Sequence, residues 1–397
     1  MNYDRTLIKH RGSIILLACS ILIALLLGEV AIRFCGHEDM DGNFYVNTLE
    51  CYPYHLPVKA LQKQFKKYLL GKANWTYDPD LGWAPKPGSK NKNGLCFYNA
   101  DAIRTPSCET IIAKTPSQGV LRILILGDSF THGNDVPFLN TWGHYLEDDL
   151  KKRNINAEVL NFGVGGYGMD QAYLRWKKQG YMYKPSIVIF GLQLENMNRN
   201  VNLIRQFYVP QELNIFAKPR FVLEQGKLLL INKPTPSSPK AIDLMEHFPS
   251  WELAKYEHWY DPQEYQDNIL FKSKLIAFVY SWFKDRYKDR RSEDKELEDL
   301  SFKIITSFKE EVESAGGKFY VVYLPLRDDL DLLKEKKVVP HLDFLKRLEG
   351  VVPVIHTEVQ LSKEKEDIKK LIPDHYSAKA NKVVADVIAA SIIEKTP

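Results

Sequence analysis

The chain has 397 residues, 45% hydrophobic and 26% charged, which is ordinary globular usage and excludes a wholly disordered, collagen-like or polytopic membrane chain. Its 54 Lys and Arg against 50 Asp and Glu leave a formal charge of +4, so no electrostatic argument favours nucleic acid as a partner. Five cysteines are too few for a disulfide scaffold.

The first element is apolar. Ser13 to Leu27 reads SIILLACSILIALLL without a charge, and Val30–Phe34 extends it past Gly28 and Glu29. A bilayer core takes about 20 mostly apolar helical residues. Arg5, Lys9 and Arg11 precede the run, which favours a cytoplasmic amino terminus and a main domain outside the cytoplasm. No A-x-A-like site follows the run, so the expectation is an uncleaved signal anchor: a tail at 1–12, a span at 13–34, and the lipid bilayer as a partner. Residues 35–118 are irregular apart from helical spacing at Ala60–Leu70, and read as a membrane-proximal arm. Cys96 and Cys108 bracket a short polar loop there, and either pair or stay free thiols.

From 119 to 397 strands and helices alternate. Apolar strands are expected at Arg122–Leu126, Ala157–Leu160, Ser186–Phe190, Lys318–Leu324 and Val351–Ile355. Helices are expected at Trp142–Arg153, Asp170–Gln179 and Asn381–Glu394. This pattern predicts an α/β fold with a parallel sheet covered on both faces. An insertion at about 201–270 carries a hairpin, Arg220–Leu223 and Lys227–Ile231 around Gln225-Gly226. Lys272–Ser314 reads as one or two long helices, with a solvated charged middle at Lys284–Asp299.

Chemistry gathers at strand ends. Gly127-Asp128-Ser129-Phe130-Thr131-His132-Gly133 follows the first apolar strand. Ligands bind at such strand ends in open α/β sheets. A serine in a tight turn between glycines can present both its hydroxyl and its amide to a carbonyl, given a base and an oxyanion site. The segment resembles block I of the SGNH or GDSL hydrolases, whose nucleophile is the serine of a G-D-S motif. The resemblance spans roughly 119–200 and 300–397, and implies a three-layer α/β/α, flavodoxin-like fold.

By that resemblance Asn161–Gly168 (NFGVGGYG) is block II, with Gly166 as amide donor to the oxyanion and Gly163 second. Block III supplies a donor asparagine after a strand. Here Glu195 falls on the asparagine position and Asn196 on the following aspartate. An ionised carboxylate cannot donate a hydrogen bond, so Asn196 takes the role, with Glu195 and Gln193 left open. The family's acid and base precede the last helix. Pro373-Asp374-His375-Tyr376-Ser377 supplies His375 as base; Asp374 is adjacent to it, not two or three residues earlier, so it orients the ring only in a turned backbone, and otherwise a backbone carbonyl holds the ring. His132 reads as a partly exposed loop residue, and Asp128 as the residue that fixes the turn. The other histidines lack metal-like spacing, so neither metal nor cofactor is expected.

Tyr77–Gly88 (YDPDLGWAPKPG) and Lys218-Pro219-Arg220-Phe221 resemble features of membrane-anchored bacterial members. That implies an ester on an envelope carbohydrate as substrate and a membrane-bound O-acyltransferase as a partner. The expected activity is a serine esterase or deacetylase, with an acetyltransferase using the same acyl-enzyme, or a non-catalytic glycan-binding scaffold, as alternatives.

Overall fold

The computed structural model describes residues 2–69, 74–91, 93–209, 216–287 and 295–394. The chain forms two compact units, one of Met1–Gln64, Ile242–Trp251 and Tyr260–Arg290, the other of Phe65–Ala241, Glu252–Trp259 and Arg291–Pro397.

The second unit is built on a seven-stranded sheet. In chain order its strands are β1 (Phe97–Tyr98), β2 (Arg104–Thr105), β3 (Leu121–Leu126), β4 (Ala157–Asn161), β5 (Ile187–Leu192), β6 (Lys318–Tyr323) and β7 (Val354–His356), arranged β7-β6-β5-β3-β4-β2-β1. The pairs from β7 to β4 are parallel, with Ile123 opposite Ile187 and Val159. Side chains alternate between faces along a strand, so these apolar runs feed two cores. Leu124, Leu126, Val188, Phe190 and Val321 pack with Trp176, Ile304 and Phe308 from the helices Met169–Lys178 and Lys295–Ser314. Ile123, Ile125, Ile189 and Val322 pack with Trp142, Leu146, Val384 and Ile388 from the helices Trp142–Lys152 and Ala378–Glu394. The result is the expected three-layer α/β/α arrangement, with a mixed edge.

That edge corrects the expected boundary at 118/119. β2 pairs antiparallel with β4 through Arg104 and Asn161, and β1 pairs with β2, so residues 97–105 extend the main sheet. The expected insertion also divides. Its hairpin Arg220–Glu224 and Lys227–Ile231 stays with the sheet unit, whereas 242–251 and 260–290 belong to the other unit. Lys272–Ser314 forms two helices, Lys274–Tyr287 and Lys295–Ser314; the middle of the charged stretch, 288–294, lies outside the described residues.

The first unit opens with one helix, Asn2–Cys35. Its segment Ile15–Cys35 is long and apolar enough to cross a membrane; its most apolar 18 residues have a mean hydropathy of 2.7 and are not buried. The strands Gly36–Glu38, Phe44–Val46 and Leu49–Cys51 follow as an antiparallel sheet. Phe44 and Cys51 pack against Ala277 of the helix Lys274–Tyr287.

Candidate active site

The turn after β3 is fixed by its own side chains. Gly127 has φ +153, and a Cβ there would lie 2.3 Å from Thr131 Oγ1 and 2.8 Å from the Gly191 carbonyl. Asp128 caps a one-turn helix, Ser129–His132, its Oδ1 accepting from the Phe130 amide at 2.9 Å. Gly133, at φ 75, closes the turn by donating its amide to the Ser129 carbonyl at 2.9 Å. Ser129 therefore stands at the carboxyl end of β3, 9% exposed. Its hydroxyl makes no hydrogen bond among the described residues.

Asp128 also reaches across the site. It is fully buried, and its Oδ2 accepts from Asn196 Nδ2 at 3.0 Å and faces Arg199 Nη1 at 3.6 Å. An amide group has two N–H donors, so one of Asn196 remains after this bond. Glu195 is engaged elsewhere. It pairs with Arg199 Nη2 at 3.0 Å and accepts from the Tyr208 hydroxyl. Burial pushes its carboxyl up, but the charge of Arg199 and the Tyr208 bond outweigh this and hold it below the usual carboxylate range. An ionised, fully partnered Glu195 cannot serve as an oxyanion donor. Gln193 is buried, and its amide has no partner among the described residues.

The two block II glycines have different duties. A Cβ on Gly163 would lie 2.4 Å from the His132 nitrogen and 2.8 Å from its Cα, so Gly163 permits close packing on the turn that carries Ser129. The Gly163 amide already donates to Asn161 Oδ1 at 3.0 Å. Gly166, at φ 78, accepts on its carbonyl from Arg205 Nη1 at 3.0 Å, while its amide donates to no group among the described residues.

His375 lies at the same rim. Its ring stands 5.0 Å, centroid to centroid, from that of Phe130, the residue after Ser129. The loop before the last helix is fastened by Arg327 to the Pro373 carbonyl at 2.9 Å, by the Tyr376 hydroxyl to the Pro325 carbonyl at 2.8 Å, and by Asn381 Nδ2 to the Tyr376 carbonyl at 2.9 Å. His375 and Ser129 are not hydrogen-bonded, and such bonds often tighten only with substrate present. The His375 partner is a correction to the sequence reading. Asp374 is exposed and bonds to nothing among the described residues. Instead His375 Nδ1 meets Asp135 Oδ2 at 2.6 Å. With Nδ1–H donated to that carboxylate, the Nε2 lone pair is left to act as a base.

Asp135 was missed because it belongs to the block I loop, not to the segment before the last helix. The signal available was topological: a carboxylate just after a turn closed by Gly133 must emerge at the rim that carries Ser129. It sits at φ 67, a conformation that Asp tolerates better than most residues.

His132 is a second correction, being 3% exposed and not a loop-surface residue. Its Nδ1 lies 2.9 Å from Arg104 Nη1, which can only donate, so the ring proton is on Nε2, 2.8 Å from the Tyr98 hydroxyl and 3.3 Å from Cys96 Sγ. Burial, and then the Arg104 charge, hold this imidazole well below its ordinary value and keep it neutral. Arg104, 2% exposed, further donates to the carbonyls of His132 at 2.6 Å, Gly133 at 2.7 Å and Val136 at 2.7 Å. It thus grips the loop on both sides of Asp135. Cys96 and Cys108 are both free thiols. Among the described residues no group of three or more His, Cys, Asp or Glu is arranged to hold a metal ion.

Comparison with known proteins gives a match to part of the chain. Residues 123–213 match the family described as GDSL-like Lipase/Acylhydrolase. No curated protein matches the chain. Similar solved structures include an acetylxylan esterase from Geobacillus stearothermophilus, at 12% identity over 68% of this chain and 93% of that one, with a TM-score of 0.39. An alpha/beta hydrolase enzyme from the metagenome of Lake Arreo, Spain, is 12% identical over 70% of this chain and 96% of its own, with a TM-score of 0.38. The acetyl xylan esterase AlAXEase is 11% identical over 68% and 99%, with a TM-score of 0.37.

Proposed function

We propose that this chain, an ester-cleaving serine hydrolase of the GDSL-like kind, uses Ser129 as nucleophile and His375 as base, with Asp135 orienting the base. The observation that carries this reading is the 2.6 Å bond from Asp135 to His375 Nδ1 at the rim where Ser129 emerges. His375 Nε2 takes the Ser129 proton as Oγ bonds to the ester carbonyl carbon. The amides of Ser129 and Gly166 and the remaining N–H of Asn196 donate to the resulting oxyanion; one such donor contributes about 3 kcal/mol in the transition state. The carbon–oxygen bond to the alcohol then breaks, and Nε2–H protonates the leaving oxygen. Water, deprotonated by the same Nε2, releases the acid and restores Ser129.

The substrate in this reading is an acyl ester, acetyl foremost, on a carbohydrate. What supports a sugar is Trp75, which is partly exposed and lies beside Gly165, where a Cβ would meet its ring at 3.6 Å. An indole beside the turn that holds Gly166 gives a pyranose an apolar face to stack on. The N-terminal helix, read as an uncleaved anchor, holds the chain to a membrane with the catalytic unit outside the cytoplasm.

The test is covalent labelling by a fluorophosphonate together with acetate release from an O-acetylated oligosaccharide. Wild type is expected to be labelled and to release acetate, and Ser129→Ala to do neither. Undiminished labelling of Ser129→Ala would overturn the assignment.

A further inference from the structure

The helix Lys274–Tyr287 is apolar on the wrong side for a soluble protein. Its inward side is filled by Ala277, fully buried against Phe44 and Cys51, by the partly buried Phe278 beside them, and by Ser281, 1% exposed, which accepts at Oγ from the Tyr52 amide at 2.9 Å. A second set of large apolar residues faces outward. Ile276, Val279, Tyr280 and Phe283 recur at the spacing of one helical stripe, each between 42% and 49% exposed, and Trp282 beside them is 44% exposed. Ile269 and Leu270, in the turn just before, are 77% and 57% exposed. Contiguous exposed apolar surface of this kind marks an interaction site, not a solvated face.

What covers it is indicated by the neighbour it is tied to. Glu29 of the N-terminal helix accepts from Ser273 Oγ at 2.7 Å and from the amides of Lys274 and Leu275 at 3.0 and 2.9 Å, capping the start of this helix. Arg33, one turn on, donates to the Lys272 carbonyl at 2.9 Å. Gly28 leaves room for this approach, since a Cβ there would lie 3.0 Å from Leu275 Cδ2. Glu29 is six residues short of the end of the apolar segment Ile15–Cys35, which puts the capped end about 9 Å inside that segment along the axis. The surface is therefore continuous with the side of a helix apolar enough to cross a bilayer. Its aromatic residues and the closing Arg286 are the side chains that favour a membrane interface and anionic headgroups.

We infer that residues 269–283 form a second membrane contact, an interfacial helix whose Ile276–Phe283 stripe lies in the outer leaflet beside the anchor. This rests on the reading of the N-terminal helix as an uncleaved anchor. The occupant of the stripe is lipid.

The test uses the full chain in vesicles of phosphatidylcholine and phosphatidylglycerol, with Cys19, Cys35 and Cys108 replaced by serine. Single cysteines carrying an environment-sensitive nitrobenzoxadiazole label are placed by Val279→Cys, by Leu22→Cys in the N-terminal helix, and by Lys227→Cys in the exposed hairpin. Ester hydrolysis checks that each labelled protein is folded. The labels at 279 and 22 are expected to shift to the blue and lose most of their emission to spin-labelled lipid, and the label at 227 to do neither. Quenching at 22 without quenching at 279 overturns the interfacial helix and leaves the anchor standing. Quenching at neither overturns both. A label at 279 that stays unquenched in vesicles but becomes shielded in native membranes overturns lipid as the occupant in favour of a protein.

Discussion

Replacing Asp135 by Asn separates the two candidate acids. The side chain keeps its shape, but the carboxylate that accepts from His375 Nδ1 at 2.6 Å becomes an amide whose nitrogen can donate to Nδ1 and hold the wrong tautomer. A hydrogen bond to a charged group contributes about 1.5–3 kcal/mol. The Asp135 side chain is 65% exposed, so solvent screens the pair and the lower half of that range applies. That corresponds to a loss of about 10- to 45-fold in kcat/KM, well short of the roughly 10⁴-fold loss where a triad acid is buried. The assay is hydrolysis of p-nitrophenyl acetate by wild type, Asp135→Asn and Asp374→Asn, at low and high salt. Only Asp135→Asn is expected to lose activity, and its deficit is expected to shrink as salt screens the pair in wild type. Wild-type kcat/KM in Asp135→Asn, or an equal loss in Asp374→Asn, would refute the reasoning.

Three further substitutions probe the frame. Gly163→Ala puts a methyl 2.4 Å from the His132 nitrogen, a backbone atom that cannot rotate away; a loss of about 1–3 kcal/mol is expected in urea unfolding, with a sharp fall in kcat. Lys218→Met strands Asp170, fully buried and paired with Lys218, and is expected to cost about 3–5 kcal/mol, much of it recovered in the double variant with Asp170→Leu. Burial pushes Glu50 up to about 7 from its ordinary 4.5, so the folded state holds more protons than the unfolded one between these values. Stability contributed by this group is thus present below pH 4.5 and lost as pH rises through 7, by at most about 3 kcal/mol. Glu50→Gln is expected to raise Tm relative to wild type at pH 8 and not at pH 4, which thermal unfolding at both values checks.

The parallel strands were legible because burial on both faces leaves nearly unbroken apolar runs, as in Arg122–Leu126 and Ser186–Phe190. The turn around Ser129 was legible because its glycines follow such a run directly. β1 and β2 were not, since two-residue strands carry no periodicity; what reveals β2 is Arg104 reaching the carbonyls of 132, 133 and 136, a contact between residues far apart in the chain. The choice between Glu195 and Asn196 was likewise hidden. It turns on where Arg199 and Tyr208 point, and both are claimed by Glu195 while Asn196 turns to Asp128.

The position of Asp135, the acid in the proposed assignment, follows from that sheet edge. A carboxylate on an exposed loop, at φ 67, orients a base only if the loop itself is held. Asp135 has little packing of its own, so the rigidity comes from beneath. β2 adds to β4 and delivers Arg104 under the turn, where it binds the chain before and after Asp135. His132 must stay neutral for this arrangement, since a protonated ring would face the Arg104 guanidinium at 2.9 Å. Burial, and then the Arg104 charge, hold its imidazole well below its ordinary value, and the Tyr98 hydroxyl accepts from its remaining N–H. Residues 97–105 therefore act on the active site indirectly. In the proposed assignment they let the acid come from the loop that carries Ser129, and the segment before the last helix supplies the base.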